Sequence, residues 1–70
     1  MTYVIEYNTL MGYHHVVKYK NQDDAMTMFF NCEEKLNRQQ SMIIEIDGGY
    51  SLLNPRIITE IHVRKKRDWE

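Results

Sequence analysis

The stretch NQDDAMTMFFNCEEKLNR, residues 21–38, is the only part of this 70-residue chain with a sustained helical period. Ala25, Phe29, Cys32 and Leu36 recur at i, i+4, i+7 and i+11, so they share one face at about 100° per residue, with Met28 at its flank. Asn21 suits the N-cap, because its side chain can accept a hydrogen bond from a free N–H one turn in. Asp23 and Asp24 fall in the first turn and Lys35 and Arg38 in the last, which complements the helix dipole at both ends. A helix this short is marginal alone in water and needs a surface to lie on.

The segments on either side supply that surface. Residues 2–8, TYVIEYN, read as a strand with Tyr3, Ile5 and Tyr7 on one face. A turn over 9–12 leads into a second strand, YHHVVKYK at 13–20, and the short Gly-containing connection makes the pair a hairpin. After the helix, SMIIEID at 41–47 is a third strand with Met42, Ile44 and Ile46 facing inward. Asp47-Gly48-Gly49 is a hairpin turn, since type I′ geometry needs positive φ at both central residues. Tyr50 to Leu53 is a fourth strand. Asn54-Pro55 is a bend, and Ile57 to Lys65 a fifth strand with Ile57, Thr59, Ile61 and Val63 on one side. The order ββαβββ predicts a two-layer α+β domain, one amphipathic helix (about 22–37) packed on a mostly antiparallel sheet. That domain covers residues 1–65, and 66–70 read as a basic, frayed C-terminal tail.

Seventy residues suffice for one small core. An apolar fraction of 43 % beside 27 % charged residues is globular rather than disordered composition. One cysteine makes no internal disulfide, and a small domain without disulfides points to a reducing compartment, the cytoplasm. The opening MTYVIEYN lacks a basic region and does not read as a signal peptide, and no apolar run approaches the ~20 residues a membrane span needs. The net charge of −1 divides into −3 over residues 1–63 and +2 over the last seven. The body is acidic and the tail basic.

Catalytic equipment is not evident. His14 and His15 are adjacent on a strand, so they point to opposite faces and cannot chelate one ion together. Cys32 lies on the buried helical face, where apolar neighbours raise a thiol pKa and leave it inert, which argues against a nucleophile pair with His15. Gly48-Gly49 belongs to a hairpin and opens no helix, so it is not a phosphate loop. The sequence therefore predicts no enzyme, cofactor, metal site or small-molecule substrate.

Contact surfaces are the remaining candidates. Met26 and Phe30 are spaced i, i+4 at the edge of the core stripe, and read either as an extension of the core or as a partner-binding patch. Asp23, Asp24, Glu33 and Glu34 on the helix, with Asp47 at the second hairpin, form an acidic set that reads as a solvated face or as an imitation of a nucleic-acid backbone. The basic tail offers the opposite reading. Arg64, Lys65, Lys66 and Arg67 would neutralise phosphates while Trp69 stacks on a base. A homodimer through an exposed sheet edge is a further alternative.

The hairpin followed by YKNQDDAMTMFFNCEEKL (19–36), and then DGGYSLLNPRIITEIHV (47–63), resembles the layout of the small host-takeover proteins that lytic bacteriophages express early. The resemblance spans residues 1–63. It implies an inhibitor of one host protein in the bacterial cytoplasm, with a DNA-binding protein engaged through a DNA-mimicking face as one form. The sequence thus predicts a non-enzymatic protein-binding module that uses Met26 and Phe30 with the acidic helix face or the second hairpin.

Overall fold

The computed structural model describes residues 2–46 and 48–70. Its elements run β1 (Tyr3–Thr9), β2 (His14–Tyr19), α1 (Gln22–Asn37), β3 (Met42–Ile46), β4 (Gly49–Leu53), a single 3-10 turn at Pro55–Ile57 and β5 (Ile58–Lys65). This is the predicted α+β order, and each strand pairing among the described residues is antiparallel.

The strands divide into two sheets. β1 is central in the order β2-β1-β5, and among the described residues β3 pairs only with β4. With β2 and β5 occupying both edges of β1, the second hairpin has no ladder to join except at an outer edge. It attaches through side chains instead. Met42, Ile44 and Leu53 enter a core made with Ile5 and Tyr7 of β1 and Ala25 and Cys32 of α1. Val17, Met28, Phe29, Leu36, Ile61 and Val63 complete its rim.

Helix α1 begins and ends for local reasons. The Asn21 side chain accepts from the Asp24 N–H at 2.9 Å, the predicted N-cap. At the other end the Gln39 N–H donates to the Leu36 carbonyl at 3.0 Å and the Gln40 N–H to the Lys35 carbonyl at 2.8 Å, a Schellman closure. That closure puts Gln39 at φ 55°, a left-handed conformation strained for any residue with a Cβ. Gln39→Gly is therefore expected to stabilise the fold by roughly 0.5–1 kcal/mol, read as a higher urea midpoint with an unchanged slope.

β5 departs from simple alternation. Its register against β1 shifts between Asn8 and Thr9, so Asn8 faces Glu60 while Thr9 faces Ile58 and Thr59 is the extra residue. The Thr59 hydroxyl donates to the Asn8 carbonyl at 3.1 Å. The bulge turns Ile58 toward the core, where the predicted alternation had put Ile57 and Thr59 beside Ile61 and Val63. A period-2 reading cannot anticipate an inserted residue.

Tyr7 is fully buried at the centre of β1, and its hydroxyl meets Cys32 Sγ at 3.6 Å. Burial pushes the Cys32 thiol above its usual value and pushes the Tyr7 phenol up far more strongly. Cys32 is a packing residue whose thiol meets the Tyr7 phenol.

Candidate partner-binding surface

The predicted contact residues do not gather in one place. Phe30 is 57 % exposed and touches Phe29 edge-on, whereas Met26 is half-buried. Of the two only Phe30 is largely exposed, so the pair forms no continuous exposed patch. Asp23, Asp24, Glu33 and Glu34 are all exposed on α1, but Glu34 is bonded to Arg38 one turn on at 2.9 Å. Asp47 lies outside the described residues.

The C-terminal residues, read from the sequence as a frayed tail, turn back onto the sheet. The Lys66 N–H donates to the Thr2 carbonyl at 2.9 Å, and the Glu70 carboxylate takes both terminal nitrogens of Arg64 at 2.6 and 2.7 Å. Arg64 Nε also donates to Glu6 at 2.8 Å, and Glu6 reaches His14 Nε2 at 3.1 Å on its other oxygen. The Arg64 fork is thus shared between two carboxylates and is not free to meet a phosphate. Lys65 and Arg67 are exposed and Lys66 is half-buried, while Trp69 is 77 % exposed under the Arg67 guanidinium at 5.4 Å.

This ion network carries a pH dependence. The hydrogen bond from Arg64, with its charge, holds Glu6 below the usual 4.5 against the opposing effect of burial. The Arg64 fork and the Arg67 N–H bring Glu70 down to about 2. Carboxyls with depressed folded values stabilise the fold above their unfolded pKa and lose that contribution as pH falls through the folded one. Stability is expected to decline from about pH 4.5 down toward about pH 2. In Glu6→Gln this acid-side slope should be shallower, as checked by urea midpoints across that range.

A contiguous exposed apolar surface lies on the outer face of the second hairpin. Ile43 is 64 %, Leu52 69 % and Tyr50 77 % exposed. Ile43 stands directly opposite Leu52 in register, and Tyr50, two residues before Leu52 on the same face, stands opposite Glu45. Three large side chains are therefore cross-strand neighbours in one patch rather than scattered singly. Leu10, Met11 and Tyr13 make a second exposed group, at the β1–β2 turn rather than on a strand face.

The patch borders a groove of about 490 Å3 between β2 and β3. Consecutive residues on both strands line it, Val16 to Tyr19 and Ile43 to Ile46. A strand showing only one face would contribute alternate residues, so the groove sees both strands edge-on. Tyr7 and Met28 form its floor, and Tyr50 stands at its outer lip.

Comparison with protein-family models, curated protein sequences and solved structures returned no significant match.

The sequence did hold a sign of this surface. Ile43-Ile44 and Leu52-Leu53 place apolar side chains on both faces of β3 and β4, the pattern of strands covered on two sides. One helix covers only one side. The other face stays open, and that count, rather than the methionine–phenylalanine spacing on α1, identifies the patch.

Proposed function

We propose that this chain acts by binding another protein, through the outer face of the β3–β4 hairpin. The observation that carries the reading is the contiguous Ile43, Leu52 and Tyr50 patch, exposed in a domain that otherwise buries its apolar strand faces. Each aliphatic side chain there stands to contribute about 1.5–3 kcal/mol on full burial by a partner. An aromatic side chain among aliphatic ones, with a carboxylate at the rim, is the composition of an interface core with a polar border. Glu45 beside Tyr50 would then act mainly on association rate, and the apolar trio on dissociation.

The resemblance to early bacteriophage proteins supports a single bacterial protein as the target and inhibition as the outcome. Phe30, one exposed turn of α1 away from the core, becomes a secondary contact in this reading rather than its centre.

The test is a paired capture. Wild-type chain and Ile43→Ser/Leu52→Ser are immobilised and exposed to the same bacterial lysate. Both side chains are largely solvated in the free chain, so the urea midpoint should move by no more than about 0.5 kcal/mol equivalent. The captured protein should bind the double variant at least about tenfold more weakly, the equivalent of about 1.4 kcal/mol. Equal retention by a folded double variant would reject this face as the contact.

A further inference from the structure

The groove beside the patch has a backbone as well as a side-chain character. In the first hairpin the Thr9 N–H donates to the Tyr13 carbonyl at 3.1 Å. Bonded and non-bonded pairs alternate along an antiparallel ladder, so Tyr7↔His15, Ile5↔Val17 and Tyr3↔Tyr19 carry the β1–β2 bonds. The N–H and C=O groups of Val16 and Lys18 therefore point away from β1, into the groove. On the far side Ile46↔Gly49 closes the two-residue connection and continues as Ile44↔Ser51 and Met42↔Leu53. The main-chain groups of Ile43 and Glu45 are left facing the groove from that side. All four residues line it.

We propose that this groove receives an extended segment of the partner protein as an added β-strand, bonded to β2 on one side and to β3 on the other. The proposal rests on the partner-binding reading and specifies its occupant. Exposed strand edges are templates for another strand, and main-chain bonds supply the affinity in such additions. Side chains define what the segment carries. Val17, Met28 and Ile46 present a half-buried apolar floor with Ile44 buried beside them, which takes the inward-pointing residues of an alternating segment. The outward-pointing residues meet Lys18 on the β2 side and Glu45 on the β3 side, which suits one acidic and one basic residue on that face. A small molecule would leave the two rows of main-chain groups without partners. An extended peptide satisfies both.

The geometry also sets what must move. A strand between β2 and β3 requires them about 9.6 Å apart, two steps of about 4.8 Å. They approach within 8 Å at Cα. Among the described residues the β3–β4 hairpin shares no ladder with the three-stranded sheet, so moving it outward breaks no strand pairing. The bound form is one continuous sheet in which the segment joins the two.

The test uses the full isotope-labelled chain and a displayed library of random peptides of roughly ten residues, the length of a long strand. Selected peptides should alternate apolar with polar residues and slow amide exchange at Val16, Lys18, Ile43 and Glu45. Methylating alternate peptide nitrogens should weaken binding at least tenfold. Lys18→Glu/Glu45→Lys should reselect peptides with their charges exchanged. If selected peptides perturb only Ile43, Tyr50 and Leu52 side chains, with no effect at the four amides or of N-methylation, the added strand is refuted and the apolar-face reading stands. Selection of no peptide, or slowed edge amides that appear with rising protein concentration alone, refutes it in favour of a globular partner or a second copy of this chain. Failure of the lysate capture with intact peptide binding would sink the patch and leave the groove.

Discussion

Tyr7→Ala is expected to leave the chain without a cooperative unfolding transition at 25 °C. Tyr7 has no exposed surface and sits on β1, which is bonded to a strand on both sides. Its ring lies in the cluster that joins the three-stranded sheet, α1 and the second hairpin, so no single neighbour can collapse into the space it vacates. Truncating a buried aromatic side chain costs about 3–5 kcal/mol. A domain of this size holds about that much in total. Urea melts followed by far-ultraviolet circular dichroism would show a broad, shallow loss of signal in place of a sigmoid. Tyr7→Phe is the control. It keeps the ring and removes the hydroxyl's contacts to Cys32 Sγ and Tyr19, so it should cost about 1–2 kcal/mol and remain cooperative. A sharp transition in Tyr7→Ala near the wild-type midpoint would show that the core is not organised around β1.

Leu53→Ala is expected to be nearly as damaging, by a different route. A two-stranded hairpin is marginal by itself in water. Among the described residues β3–β4 has no strand pairing to the larger sheet and is held by Met42, Ile44 and Leu53, of which Met42 and Leu53 are a cross-strand pair. Removing Leu53 beyond Cβ should cost about 2–5 kcal/mol. The loss should appear first in the hairpin. Amide exchange at β3 and β4 would accelerate more than at β1 and β5, because the hairpin can detach while the three-stranded sheet keeps its ladder. Uniform acceleration across all five strands would mean that the two sheets unfold as one unit. The same looseness is what the added-strand proposal draws on, so the exchange pattern bears on stability and binding together.

The sites were less legible in the sequence than the elements. Met26 and Phe30 share helical spacing, yet the helix is rotated so that Phe30 faces water and Met26 is half-covered. Spacing fixes which residues share a face but not how far round the neighbouring strands reach. Arg64 read as one of four tail cations, and its pairing with Glu6 joins residues 58 positions apart in the chain. Nothing local in RKKRDWE announces that partner. The outward face of the second hairpin was visible as doubled apolar residues, but its significance depends on how many layers the fold provides.

Local chemistry alone determined the helix and its ends, because Asn21, the acidic first turn and the apolar period act within a few residues of one another. Alternation and turn residues likewise set the strands and their order. Only the tertiary structure decided that β1 takes the centre and that the second hairpin forms its own sheet. The bulge at Thr59 and the facing of β2 and β3 across an open groove were decided there too. Those outcomes depend on competition among strand edges far apart in sequence. A strand's pattern says which face it buries, but not which edge it finds.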